Sequence, residues 1–208
     1  MSLVVEAEGL TKHFGNFAAV DGVDFTVEAG EIFGMLGPNG AGKTTTIRML
    51  LDIIKPDAGR IAILGGPMSE KKKARLGYLP EERGLYQDMT LQDTLAFLGA
   101  LKGLSMRVAR QRVEERLREV DVWEERHHKV SALSRGMSQK AQFVATTLHD
   151  PELVILDEPF SGLDPVNVRM IKDLIYRMRD RGAGIIMSTH QMNQVEEMAN
   201  RIMLVDHG

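Results

Sequence analysis

The stretch "EIFGMLGPNGAGKTTTIRML", residues 31–50, restricts the fold of this chain more than any other. It opens with an apolar run from Glu31 to Leu36, which reads as a buried strand. A glycine-rich turn follows, matching G-x-x-x-x-G-K-[ST] at Gly37, Gly42, Lys43 and Thr44. A helix is expected from about Lys43 to Leu51. The strand and the helix are both needed. Gly37, Pro38, Asn39, Gly40, Ala41 and Gly42 form a loop whose backbone N–H groups turn inward around a phosphate, and the helix N-terminus adds a favourable dipole. In such a loop Lys43 neutralises the phosphate oxygens, and the hydroxyls of Thr44 and Thr45 are placed for Mg²⁺ and phosphate. A phosphate cradle between strand and helix implies an α/β core.

The remaining pattern agrees. "LVVEAEGLTKHFG" and "GVDFTVEAGE" read as short strands in a small N-terminal antiparallel β layer, and "GRIAIL" and "LGYL" add strands. From Glu81 to Asp150 the apolar residues fall at helical spacing, as in "LQDTLAFLGALKGL" and "MRVARQRVEERLREVDV". Strands return at "LVIL" (153–156) and "GIIMS" (184–188), joined by a helical run, 166–181, with Pro165 at its start. Unbroken apolar strands alternating with helices suit a mainly parallel sheet covered on both faces. The expected organisation is one α/β domain over 1–208. Residues 1–80 and 151–208 form the nucleotide-binding core, and about 81–150 an inserted all-helical lobe. The closing "RIMLVDHG" reads as a strand with a turn and no returning arm, an open edge that suggests a truncated C-terminus.

Composition narrows the partners. The formal net charge is −3, so the positive field that drives nucleic-acid binding is missing. There is no cysteine, which removes disulfides and thiolate metal sites. No apolar run approaches the ~20 residues of a membrane span, so work at a membrane requires a partner that spans it.

"LVILDEPF" carries Asp157 and Glu158 to the carboxyl end of a strand, where ligands bind in open α/β sheets. There Asp157 suits Mg²⁺, and Glu158 suits a general base for water, a role worth typically ~10²- to 10⁴-fold. His190 stands just past another strand. Phe14, with Phe17 as competitor, is a candidate to stack on a base.

In this order the motifs resemble the ATP-binding subunit of an ABC transporter, over essentially the whole chain. Residues 37–45 look like Walker A, 153–157 like Walker B and Glu158 like the catalytic glutamate. "SGLDP" with Asp164 looks like the D-loop, His190 like the switch histidine, and Phe14 like the adenine-stacking aromatic. "LSRGM" lies where the family carries LSGGQ. The resemblance implies ATP and Mg²⁺ as ligands, ATP hydrolysis, and a transmembrane permease as partner. It also implies a second ATP-binding subunit in a head-to-tail dimer. Ser134, Arg135 and Gly136 would then reach ATP held by the opposite copy.

Two positions depart from the family pattern: Arg135 and Met137 replace Gly and Gln. Glu81 in "GYLPEERGLY" also stands where the Q-loop glutamine is usual, which makes it a candidate for the metal. Glu81 in cis and Arg135 in trans would balance one another. These departures resemble ABC-2-type exporters. The resemblance places the protein at the cytoplasmic face of the cell membrane, held through its permease.

The rival reading is a soluble ABC-type ATPase of DNA repair, iron–sulfur assembly or translation. A P-loop kinase or GTPase is a further rival, but no acceptor lid and no Asn-Lys-x-Asp motif is present. "KKKAR" at 71–75 reads as a solvated helical face. His127 and His128 read as residues near a helix end, and the 13 methionines as core filler.

Overall fold

The computed structural model describes residues 2–82, 84–206 and 208. Five strands form a parallel sheet: β3 (Ile32–Leu36), β5 (Leu76–Leu79), β6 (Leu153–Asp157), β7 (Gly184–Thr189) and β8 (Arg201–Leu204), in the order β5-β6-β7-β3-β8. Every residue of β3, β6 and β7 is buried. That is why their sequences run apolar without alternation.

Period-2 alternation survives in three dimensions as a choice of face. Ile32, Val154, Leu156, Ile185 and Met187 point into one cluster. They pack there against α5 (Arg135–Thr147), α6 (Pro165–Asp180) and α7 (Met192–Met198), for example through Phe143, Ile175 and Val195. Phe33, Met35, Ile155 and Ile186 point the other way, against Ile47 and Leu50 of α1 (Lys43–Leu50). The second face also receives the antiparallel layer, through Val5, Leu10, Phe25 and Val27.

That layer contains β1 (Leu3–Phe14), β2 (Phe17–Glu28) and β4 (Ala58–Ile63) in the order β2-β1-β4. Its first two strands are twelve residues each, longer than the short strands the sequence suggests. Register shifts interrupt their pairing. One lies near Gly9, whose φ is +57° and whose N–H donates to Asp24 Oδ1 at 2.6 Å.

Between β5 and β6 come α3 (Leu91–Leu101), α4 (Met106–Glu119) and α5. Their starts follow ordinary capping chemistry: Thr90, Ser105 and Ser134 each accept an N–H of the first turn. Leu91, Leu95, Val113 and Leu117 continue the cluster on the sheet, so the helical segment shares its core with the α/β part. The "KKKAR" segment forms a single turn, α2 (Glu70–Lys73), with no buried residue.

β8 pairs in parallel with β3 at the sheet edge, leaving Ile202 and Leu204 exposed. The chain then continues under the glycine loop, with Val205 N–H donating to Leu36 O at 2.8 Å and Gly208 N–H to Ala41 O at 3.1 Å. His207 of the expected terminal turn lies outside the described residues.

One buried titratable group sets an acid limit. His149 places Nε2 3.0 Å from Leu76 O, while Nδ1 is buried without a hydrogen-bond partner. Burial first, then the charge of Lys102, holds its pKa down at about 4. The unfolded chain, with an ordinary histidine pKa of about 6.5, therefore binds more protons below pH 6.5 than the folded one. Its contribution is complete above pH 6.5 and is lost as pH falls toward 4. The loss is on the order of 3 kcal/mol. Urea unfolding of His149→Gln should show a flatter stability profile than wild type between pH 7 and 4.5.

Candidate functional site

At the carboxyl ends of β3, β6 and β7 lies an open cleft of about 460 Å³, whose walls include Phe14, Gly40, Lys43, Thr44, Asp157 and Glu158. Thr45, Asn39 and Glu81 also line it, with Phe17 and Ala19. The β1–β2 hairpin brings both exposed aromatics, Phe14 opposite Phe17, to its rim.

The loop geometry explains the glycine spacing. Gly42 has φ +111°, and a Cβ there would lie 2.3 Å from Ala19 O. A side chain is excluded on both counts. Lys43 is 6% exposed, and its ammonium donates to Gly37 O at 2.7 Å and Pro38 O at 3.0 Å. The lysine thus closes the loop and sets a positive charge inside it.

The acids are held from the neighbouring strand. Asp157 is buried; Thr44 Oγ1 donates to its Oδ2 at 3.1 Å, and Ser188 Oγ donates to its Oδ1. Glu158 has φ +50°, a left-handed conformation rare for this residue type and costing roughly 1–3 kcal/mol. Its N–H donates to Ser188 O at 3.0 Å. The Glu158 side chain is 11% exposed. Its Oε1 accepts the His190 N–H at 3.0 Å and lies 2.7 Å from His190 Nδ1. Thr189 Oγ1 is 3.2 Å from its Oε2. Next to this centre, burial and then the charge of Asp157 push the Tyr78 phenol up.

Ser188 and Thr189 were not singled out by sequence reading. They follow an apolar run as ordinary small polar residues. Only the pairing of β6 with β7, which sets Asp157 opposite Ser188, gives them partners.

Ser134, Arg135, Gly136 and Asp164 are elsewhere. Ser134 Oγ caps α5 by accepting Met137 N–H at 3.3 Å, and Asp164 Oδ1 caps α6 by accepting Val166 and Asn167 N–H at 3.0 Å each. None of the four lines the cleft of this chain.

The residues present fit a nucleotide triphosphate with a hard divalent cation. A hydroxyl and a carboxylate stand hydrogen-bonded together beside the phosphate loop. Mg²⁺ characteristically binds through one or two carboxylates, water and substrate phosphates. Among the described residues there is no group of three or more His, Cys, Asp or Glu able to form an all-protein cage.

A glycine loop between β3 and α1, a lysine opening the helix and an acid closing β6 in one parallel sheet define a P-loop nucleotide-binding protein. The comparisons resolve the family. The family model described as "ABC transporter" matches residues 20–161. An ABC transporter ATP-binding protein of Methanocaldococcus jannaschii is 42% identical over 204 residues, 98% of this chain and 74% of the relative. The linearmycin resistance ATP-binding protein LnrL of Bacillus subtilis is 36% identical over 99% of this chain and 67% of its own length. The Nod factor export ATP-binding protein I of a Rhizobium species is 35% identical over 99% of this chain and 69% of its own length.

Among solved structures, an ATP-binding subunit of an ABC transporter superposes with TM-score 0.91 at 31% identity, covering 99% of this chain and 87% of that one. A dimeric bacterial ABC transporter cassette shares the fold at TM-score 0.89 and 22% identity, over 98% of this chain and 95% of that one. The chain belongs to the ABC transporter family as an ATP-binding subunit, and it is an ATPase of that family.

Ser188→Ala tests the geometry without nucleotide. It leaves the buried Asp157 carboxylate with one donor fewer, at a cost of about 1–3 kcal/mol. Urea unfolding at pH 7.5 in the absence of ATP should show that loss.

Proposed function

We propose that this subunit binds Mg·ATP in the cleft, pairs head-to-tail with a second ATP-binding subunit around two nucleotides, and hydrolyses them to drive export through a separate permease. The observation that carries the hydrolytic part is Glu158. It is a strained, largely buried carboxylate at the end of β6, fixed by His190 and Thr189 beside the Lys43 loop.

In this reading Phe14 stacks on the adenine, an interaction worth ~1–3 kcal/mol. The amides of residues 37–42, Lys43 and Thr45 hold the phosphates. Thr44 and Asp157 hold Mg²⁺, which when bound neutralises charge on the phosphate oxygens. Glu158 accepts the proton of the attacking water. His190 has Nδ1 against Glu158, which leaves Nε2 for a γ-phosphate oxygen. Glu81, at the cleft wall, would be a further carboxylate for the metal. Ser134, Gly136 and Asp164 stand outside their own chain's cleft, which accords with action on nucleotide held by the other copy. Ser134 Oγ accepts an N–H in its cap and keeps its own hydrogen to donate.

The permease contact falls beside Glu81. A groove of about 310 Å³ there has Pro80, Gly84, Leu85 and Leu101 in its walls. Exposed Tyr86 packs edge-on against Phe97 at 5.7 Å on the same lobe. Arg83, within this segment, lies outside the described residues. Among those described, no helix is long and apolar enough to cross a membrane. Attachment to the cytoplasmic face is therefore proposed to run through the permease. Export accords with the similarity to the Nod factor export ATP-binding protein I.

Glu158→Gln should lower kcat by about 10²- to 10⁴-fold and let Mg·ATP hold two copies together. Light scattering should then show the mass doubling on addition of Mg·ATP, and Ser134→Arg should abolish the doubling. A variant that binds ATP tightly yet stays monomeric would overturn the head-to-tail pairing of identical subunits.

A further inference from the structure

Arg135 occupies the position where the family's signature carries glycine, and its side chain does not project freely. A Cβ built on Gly162 would sit 2.6 Å from Arg135 Nε, 3.0 Å from Cδ and 3.1 Å from Cγ. The arginine stem therefore lies flat on the Gly162 backbone of its own chain. The guanidinium reaches Ser161, with Nη2 3.5 Å from its Oγ. That separation is at the limit for a hydrogen bond, so the packed stem carries most of the contact. Gly162 has φ +76° and no side chain, and both features are needed for an arginine to lie there.

Arg135 is one of several residues of α5 that hold this turn. Gly136 approaches Gly162 O and Leu163, 3.8 and 3.9 Å from its would-be Cβ. One helical turn on, Gln139 is buried and donates from Nε2 to Pro159 O at 3.0 Å. Lys140 is also buried; burial holds its pKa down, against the attraction of Asp121 and of Asp164 at the end of the turn. Arg135, Gly136 and Gln139 of α5 thus face one segment, Pro159–Asp164. That segment follows directly on Glu158, with Ser161 N–H donating to Glu158 O at 3.1 Å and Leu163 N–H to Phe160 O at 3.2 Å.

We propose that Arg135 is a positioning residue in cis, strapping the N-terminal turn of α5 to the 159–164 turn so that Glu158 and the Ser134–Gly136 segment move as one body. This rests on the hydrolytic role given to Glu158 above. It places the arginine's work on its own chain, whereas the sequence suggested a charge reaching across to the other copy to balance Glu81. The glycine usual at this position has no stem to lie on the turn.

The experiment separates the strap from a nucleotide contact. Hydrogen exchange is measured on the nucleotide-free protein for wild type, Arg135→Ala, Arg135→Lys and Gly162→Ala, with steady-state ATPase on the same samples. Exchange at the Ser161 and Leu163 amides should quicken roughly tenfold in Arg135→Ala, as a local opening contact is removed. Arg135→Lys keeps a stem and should stay near wild type. Gly162→Ala pushes the stem away from the other side and should resemble Arg135→Ala. In Arg135→Ala, kcat at saturating ATP should fall about 10- to 100-fold, the cost of a misplaced catalytic group, with KM for ATP little changed.

Unchanged exchange in Arg135→Ala would overturn the strap. Raised exchange with unaltered kcat would overturn its positioning role. A raised KM at constant kcat would mark a direct nucleotide contact instead. An inactive wild type would overturn the hydrolytic reading itself, and the exchange data would still decide whether Arg135 holds the turn.

Discussion

The parallel register of β3, β7 and β6 is the constraint on which the site depends. Leu36 pairs with Thr189, and Ser188 pairs with Asp157, so three strands distant in sequence end at one level. Parallel strands joined by right-handed crossovers place all their carboxyl ends on one edge. The phosphate loop leaves from the end of β3, the two acids from the end of β6, and Thr189 and His190 from the end of β7. A slip of one residue between β6 and β7 would reverse the face of every side chain on the slipped strand. Asp157 would then lose Ser188, and the apolar residues on both faces would meet the wrong layer.

That register is maintained by burial. Both faces of the central strands are covered, one by α5, α6 and α7, the other by α1 and the antiparallel layer. Each fully buried aliphatic side chain contributes about 1.5–3 kcal/mol, far more than the exposed ion pairs at ~0–1 kcal/mol each. The core, rather than surface charge, therefore supplies the rigidity that holds Glu158 in its left-handed backbone conformation.

The helical segment is tied to the same core and to the site. α3, α4 and α5 extend the cluster under the sheet, while the first two turns of α5 lie on the turn that follows Glu158. One helix thus carries the signature-like residues on its N-terminus and contacts the catalytic turn along its side. This gives a direct mechanical connection between the two ends of the proposed chemistry.

The sequence alone determined the elements of this site: the loop at 37–44, the Asp157–Glu158 pair, and the alternation of apolar strands with helices. These are local patterns, fixed by what a phosphate loop, a strand end or a helix cap requires of adjacent residues. The cleft brings Phe14, Thr44, Glu81, Asp157 and Glu158 together. Tertiary structure decided what depends on pairing between distant segments. It paired Ser188 with Asp157 and Thr189 with Glu158, laid β8 in parallel beside β3, and turned Arg135 onto Gly162 of its own chain. None of these is legible from spacing, because a small polar residue at a strand end or an arginine at a helix start carries no mark of its partner. The partner is chosen by sheet register and helix packing, which arise only when the whole core closes.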